Sequence, residues 1–108
     1  MRYITLAAAD GAHDLAESLE LLRRLRTELT PLLPDELLAY LATQARFIVS
    51  VARQYQGRGV AWPQLLEAGQ RGLIKAWEVN LGNQARLDEL SAWWVRQSIS
   101  DTCASYSH

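Results

Sequence analysis

The sequence predicts an all-α protein, organised as one compact four-helix domain over residues 1–108. Apolar residues recur at intervals of three and four along most of the chain, which is the spacing of a single helix face. Alternating apolar and polar runs, which are typical of strands, are scarce. Prolines and glycines interrupt the helical pattern in three places, and these interruptions separate four helical segments.

The first helix is predicted from about Asp14 to Leu29. Asp14 and Glu17 have the spacing of a capping box, in which side chains satisfy the free amides at a helix start. One apolar stripe then follows at helical spacing, formed by Leu15, Leu19, Leu22, Leu25 and Leu29. Residues 1–40 therefore form an acidic, leucine-rich helix and its connector, with four basic side chains against seven acidic ones.

The second helix is predicted to begin at Pro34 and to continue to Tyr55. Proline suits a first helical turn because the amide that it lacks would have no partner there. Asp35 and Glu36 favour the same position, since their charges complement the helix dipole. An unbroken apolar face predicts a single long helix, and its members are Leu37, Leu41, Ala45, Ile48, Ala52 and Tyr55.

The third helix is predicted over about Pro63–Asn80, after a loop in which Gly57 and Gly59 supply conformational freedom. Gly69 and Gly72 lie inside this helix, where each costs about 1 kcal/mol of helix propensity relative to alanine. We expect a neighbouring helix to pack closely against them and to offset that cost.

The fourth helix is predicted from about Asp88 to Ala104, after a break around Gly82. The last four residues, Ser105 to His108, are predicted to form a frayed tail.

Composition excludes several classes of protein. Apolar residues make up 49% of the chain and charged residues 21%, as in ordinary soluble domains. No apolar run reaches the roughly 20 residues that span a bilayer, so we expect a cytoplasmic protein without membrane contact. Cys103 is the only cysteine, and the two histidines have no metal-ligand spacing, so we expect no metal or other cofactor. Phosphate loops and catalytic triads are lacking, which predicts that the protein is not an enzyme.

Two stretches, FIVSVARQYQGRGVAWPQLLEAGQRGLIKAWE and LSAWWVRQSI, carry a resemblance to a known family. From about Ala45 to Ser100, they resemble region 2 of the bacterial sigma-70 factors, the initiation subunits of RNA polymerase. The features that match in order are Tyr55, the Gly57–Gly59 loop, the glycine-containing helix and the tryptophan pair Trp93 and Trp94. The resemblance implies a sigma-like all-helical fold for this part of the chain.

The resemblance also implies contact with promoter DNA. In the family, one segment captures unstacked bases of the minus-ten element on aromatic side chains, and the next segment reads the upstream edge of that element. An aromatic platform contributes about 1–3 kcal/mol per stacked base. The positions that correspond to these segments here are Arg86, Leu87, Leu90, Trp93, Trp94, Arg96, Gln97 and Ser100.

A second implied partner is the RNA polymerase core, because the helix matching Pro63–Asn80 docks in the family on a coiled coil of the largest subunit. The positions implied here are Gln64, Leu66, Glu67, Gln70, Arg71 and Ile74. The match to region 2 alone leads us to expect an isolated domain, without the later promoter-reading regions.

The sequence departs from the family at the DNA-contacting segment. Leu87 and Leu90 stand where aromatic residues are usual, and Asp101 stands where a basic residue is common. Two functions remain open. The first is a sigma-like transcription initiation protein that docks on polymerase and contacts minus-ten-like DNA. The second is a degenerate protein-interaction module, which binds polymerase or a regulatory partner, or self-associates through its N-terminal helix, without melting DNA.

Overall fold

Five α-helices form the fold in a computed structural model that describes residues 13–80 and 83–106. They are α1 (Leu15–Leu29), α2 (Asp35–Thr43), α3 (Ala45–Arg53), α4 (Trp62–Asn80) and α5 (Gln84–Tyr106). The all-α prediction is confirmed, and the described residues contain no strand. Gly82, at the predicted break, and residues 107–108 of the predicted tail lie outside the described residues. The tail prediction is wrong for Ser105 and Tyr106, which are the last two residues of α5.

The start of α1 is fixed by the residue that the sequence predicted. Asp14 has an extended backbone, and its side chain accepts a hydrogen bond from the Ala16 amide at 3.2 Å. Ser18 and Leu22 are the buried positions of this helix. The Ser18 hydroxyl accepts a hydrogen bond from Trp62 Nε1 at 3.0 Å, which ties α1 to the first residue of α4.

The predicted second helix is two helices, because the chain breaks at Gln44. This residue has φ −97° and ψ 1°, and its amide is shared among carbonyl oxygens of the last turn of α2. The Thr43 hydroxyl also donates to the Tyr40 carbonyl at 2.7 Å, in the last turn of α2. The apolar pattern continues across the break, with Leu41 and Ala45 buried on either side of it.

The loop between α3 and α4 contains the two glycines that the sequence marked as turn residues. Gly57 has φ 82° and Gly59 has φ 86°, values that a side chain would strain. No other group lies within 4 Å of where a Cβ would stand at either position. These glycines therefore serve the backbone conformation of the turn.

Close packing of two neighbouring helices on α4 accounts for the two glycines inside it, with α5 at Gly72 and α3 at Gly69. A Cβ at Gly72 would lie 2.5 Å from the Trp94 carbonyl oxygen, and one at Gly69 would lie 2.7 Å from Ile48 Cγ2. Ser98 strengthens the contact by donating from its hydroxyl to the Ala68 carbonyl at 2.6 Å. The expected close approach of a neighbouring helix is confirmed, and it sets which face of α5 is exposed.

The core consists mainly of aliphatic side chains from all five helices. Its largest fully buried members are Leu22, Leu37, Leu41, Ile48, Val49, Val51, Leu65, Leu66, Leu73, Leu87, Val95 and Ile99. Within the described ranges, no helix has the length and apolar character needed to cross a membrane.

Candidate functional site

One exposed side of α5 carries most of the positions at which DNA contact is expected. We call it the α5 face, and it consists of Arg86, Trp93, Arg96, Gln97 and Ser100. These residues are all exposed. With about 3.6 residues per turn, their spacing places them along one side of the helix over four turns. An aromatic ring, two cations and two hydrogen-bonding groups are therefore aligned on a single surface.

The two adjacent tryptophans have different environments. Trp93 is 55% exposed, whereas Trp94 is partly buried and packs against the core. Their rings make an edge-to-face contact, with centroids 5.1 Å apart and planes at 89°. Such a contact fixes the orientation of the Trp93 ring without covering it, because one ring meets the other along an edge. The Trp93 ring is thus accessible at the surface, and the Trp94 ring packs against its edge and orients it.

The two leucines of the predicted capture segment also differ. Leu87 is fully buried, while Leu90 is partly exposed. The side chain of Leu87 therefore belongs to the core, where its apolar surface is removed from water, and is not available to a base. Of the four positions where the family has aromatic groups, only Trp93 presents a large exposed ring here.

Neighbouring side chains hold the polar groups of the α5 face. Gln97 Nε2 donates to Asp101 Oδ1 at 3.0 Å, within the same helix. Arg96 Nη1 donates to Gln54 Oε1 at 2.9 Å, across to the end of α3. The contact with Gln54 joins residues 42 positions apart, so no local sequence pattern could have predicted it. The side chains of Arg96 and Gln97 are thus positioned by contacts within the protein itself.

The predicted polymerase-docking residues divide into exposed and buried groups. Gln64, Glu67 and Arg71 are exposed on α4, and Ile74 is partly buried. Leu66 is fully buried and Gln70 is only 2% exposed, so these two side chains lie in the core and do not face a partner. Gln70 was predicted as polar surface because its side chain is polar, but its position in α4 faces inward.

Two of the exposed residues predicted for docking, Glu67 and Arg71, contact each other within α4, and Arg71 also contacts α5. Arg71 forms an ion pair with Glu67 at 3.5 Å, one turn earlier in α4. Its other nitrogen, Nη2, donates to the Thr102 hydroxyl at 3.2 Å. Arg71 therefore links the proposed docking surface to the C-terminal half of α5.

An open groove of about 400 Å³ between α4 and α5 brings the two predicted sites together. Arg71, Ile74 and Lys75 line it from α4, and Trp94 and Gln97 line it from α5. Both signs of charge are present, since Glu78 and Asp101 also border the groove. The sequence suggested two separate surfaces, whereas the packing of α5 on α4 makes them neighbours.

No group of histidine, cysteine or acidic side chains within the described residues has an arrangement that could hold a metal ion. Cys103 is buried in the core cluster.

Comparison with known proteins supports the resemblance for part of the chain. A 60-residue segment is 38% identical to the RNA polymerase sigma factor SigA of a Bacillus species. The chain contains a sigma-factor-related region. The aligned segment covers 55% of this chain and only 16% of that relative, so this chain spans a small part of a protein of that kind. No family model matches the chain, and no solved structure matches it.

Proposed function

We propose that this protein is a sigma-like, non-enzymatic transcription initiation protein that docks on RNA polymerase in the bacterial cytoplasm and contacts minus-ten-like promoter DNA. The observation that carries the proposal is the α5 face, where the exposed Trp93 ring lies in line with Arg86, Arg96, Gln97 and Ser100. The similarity of part of the chain to a sigma factor supports the same role.

The chemistry of the face suits a single strand with an unstacked base. Removing a base from a duplex stack costs a few kcal/mol, and stacking on an aromatic ring returns about 1–3 kcal/mol. Trp93 would supply that ring, while Gln97 and Ser100 offer hydrogen bonds to base edges or phosphates. With one large exposed ring, we expect capture of one base and a correspondingly modest affinity.

Polymerase docking would use the exposed part of α4. Gln64, Glu67 and Arg71 provide polar contacts, and Ile74 adds a partly exposed apolar group between α4 and α5. Because Leu66 and Gln70 are buried, the docking surface would be narrower than the sequence alone suggested.

A protein-interaction module that does not melt DNA is the second candidate. Two observations favour it. Leu87 is in the core, so that a second stacking group is lacking at this position, and the Asp101 carboxylate lies beside Gln97 on the DNA-facing side of α5. A carboxylate there repels a phosphate backbone. In this case the same scaffold would bind polymerase or a regulatory partner, or a second copy through α1.

Fluorescence anisotropy with labelled single strands separates the two candidates. One oligonucleotide carries a TATAAT-like sequence and the other carries the same bases in scrambled order, both at low salt. The proposed function predicts tighter binding of the first. Equal affinities, or no binding of either below about millimolar concentration, would favour the interaction module.

A pull-down with core polymerase tests the docking surface independently. Glu67→Lys reverses a charge on the proposed surface, and Glu36→Lys makes the same change on the exposed start of α2 as a matched control. Reduced capture of the first variant and normal capture of the second is the expected result. Equal capture of both variants would remove Glu67 from the docking surface.

A further inference from the structure

An open groove of about 310 Å³ lies between α1 and the start of α4. Its apolar lining consists of Leu21 and Leu25, both partly exposed, and of Pro63, which is exposed. The hydrogen bond that Trp62 donates to the Ser18 hydroxyl fixes α4 beside α1 at this point. The groove is therefore formed by the packing of two helices, and its shape does not depend on a loop.

Charged side chains of both signs border this groove along α1. Arg24 and Glu28 line it one helical turn apart, and both are exposed. Glu28 forms no ion pair with any of the described residues. Arg24 contacts the Glu20 carboxylate at 3.4 Å, but Arg23 binds that carboxylate more closely, with two hydrogen bonds of 2.9 and 2.6 Å. The groove thus keeps one acid and one base that are available to a partner.

The most exposed large apolar side chain of the described residues lies just beyond the groove. Leu32 is 75% exposed. Its amide donates to the Leu29 carbonyl at 2.8 Å, so the chain keeps a helical course past the end of α1. Helical spacing places Leu32 on the same side as Leu21, Leu25 and Glu28. Because the leucine and the groove share one side of one helix, Leu32 cannot fill the groove of its own chain.

A second copy of the chain complements this surface when its α1 runs antiparallel to the first. A two-fold axis that passes midway between Arg24 and Glu28 brings Arg24 of each copy opposite Glu28 of the other, which gives two ion pairs. Leu21 and Leu32 lie five and six positions from the same midpoint. At about 1.5 Å per residue, they meet across the axis with an offset of about 1.5 Å. One register therefore satisfies both the charges and the exposed leucine.

We propose that this groove binds α1 of a second copy of the chain, which forms an antiparallel, two-fold dimer. In the dimer, Leu32 of one copy covers Leu21 and Pro63 of the other and is removed from water. Every contact occurs twice by symmetry, as in most homo-oligomers. The dimer makes specific the self-association through α1 that belongs to the second candidate function, and it is compatible with the first.

Self-association through this groove has a consequence for polymerase docking. Gln64 and Glu67 belong to the exposed part of α4 proposed for docking, and both also line the groove. A second copy in the groove covers these two side chains, so that it competes with polymerase for them. This competition rests on the proposed function, whereas the dimer can be measured without polymerase.

Exchange of the two charges tests the register most sharply. Arg24→Glu and Glu28→Arg each place like charges opposite one another at both ends of the interface, and the double variant restores opposite charges. Leu32→Ser removes the side chain that fills the groove. The matched controls are Arg46→Glu in α3 and Val79→Ser in α4, at exposed positions that do not line the groove. Circular dichroism and thermal unfolding establish that all variants fold.

Sedimentation equilibrium of the full chain, from micromolar to near-millimolar concentrations, gives the dissociation constant of the dimer. We expect association about tenfold weaker for Arg24→Glu, Glu28→Arg and Leu32→Ser, because each change acts twice, and recovery in the double variant. Both controls should keep the constant of the unaltered protein. A monomer at every concentration would overturn the proposal and leave the groove to a different protein. A dimer that survives the single charge changes, or that the double variant does not restore, would overturn it as well.

Capture of core polymerase separates the dimer from the proposed function. At a concentration at which the unaltered protein is dimeric, Leu32→Ser should capture more polymerase, since it leaves Gln64 and Glu67 unaltered and uncovered. Equal capture by the two proteins would overturn the competition. Lack of capture by both would contradict the proposed docking function, while the sedimentation result still decides the dimer.

Discussion

Replacing Gly72 by alanine tests the packing that exposes the α5 face. Helix propensity alone predicts that Gly72→Ala stabilises the protein by about 1 kcal/mol. The structure predicts the opposite sign, because the new Cβ would lie 2.5 Å from the Trp94 carbonyl oxygen and 3.0 Å from Ser98 Cβ. Ordinary contacts begin near 3.4 Å, so the α5 backbone has to move by about 1 Å.

The magnitude follows from what the methyl group meets. Overpacking in a close-packed region costs about 1–3 kcal/mol, and the upper end applies when the obstacle is backbone that cannot rotate away. Subtracting the gain of about 1 kcal/mol in propensity leaves a loss of about 2 kcal/mol in the free energy of unfolding. At Gly69 the obstacle is the Ile48 side chain, at 2.7 Å, so we expect Gly69→Ala to cost less.

Urea unfolding followed by circular dichroism measures both variants. With a slope of about 1–3 kcal/mol per molar urea, the Gly72→Ala midpoint should fall by about 1 M. Ala39→Gly, at an exposed position of α2, calibrates the propensity term and should itself cost about 1 kcal/mol. An increase in the stability of Gly72→Ala would refute the close approach of α5 to α4.

Three further predictions concern single groups. Arg23 holds the pKa of Glu20 at about 2 through a hydrogen bond and through its positive charge. The contribution of this pair to stability is therefore present above the ordinary carboxyl pKa of 4.5 and is lost as the pH falls through 2. NMR titration of Glu20 should show this midpoint, and Arg23→Gln should raise it. Gln70→Met replaces a buried side chain whose Oε1 accepts no hydrogen bond from the described residues. Urea unfolding should therefore show a free energy of unfolding that is higher by about 1 kcal/mol. Capture of polymerase should be unchanged, because the side chain is buried. Asp101→Asn removes a negative charge beside the α5 face but keeps an acceptor for the hydrogen bond from Gln97. If the α5 face binds DNA as proposed, anisotropy should show tighter DNA binding by this variant, and weaker binding would contradict the expected repulsion.

Local signals in the sequence predicted the helices well where a cap or a turn residue marks an end. Asp14 caps α1 as expected, and Gly57 and Gly59 have the predicted turn conformation. The start of α5 was placed four residues too late, although a signal was present. Asn83 accepts a hydrogen bond from the Arg86 amide at 3.2 Å, and asparagine is among the preferred caps.

The break at Gln44 could not be predicted in the same way. Neither proline nor glycine marks it, and the apolar spacing of Leu41, Ala45 and Ile48 is the same as in a continuous helix. The break shows only in the folded geometry, where the Gln44 amide is shared among carbonyl oxygens of the preceding turn and the Thr43 hydroxyl bonds the Tyr40 carbonyl.

The candidate site was predicted in part, because periodicity distinguishes the two sides of a helix but does not reveal which polar residues face inward. The helical spacing that aligns Trp94 with Leu87 and Leu90 on one face predicts that Trp94 is the more buried of the two tryptophans, and the structure confirms it. It could not show that Gln70 is buried, since a polar side chain in an amphipathic helix is normally at the surface. Nor could it join Gln54 to Arg96, because long-range contacts follow from how the helices pack.

The affinity of Trp93 variants for a TATAAT-like single strand is the most direct measurement of the proposed function. Trp93→Ala removes the exposed ring, Trp93→Phe keeps an aromatic face, and Trp77→Phe changes a partly buried ring elsewhere as the control. Loss of one stacked base, worth about 1–3 kcal/mol, predicts binding that is about 5- to 150-fold weaker for Trp93→Ala, with most of the affinity kept by Trp93→Phe and all of it by Trp77→Phe. Equal affinity of Trp93→Ala and the unaltered protein would contradict base capture on the α5 face.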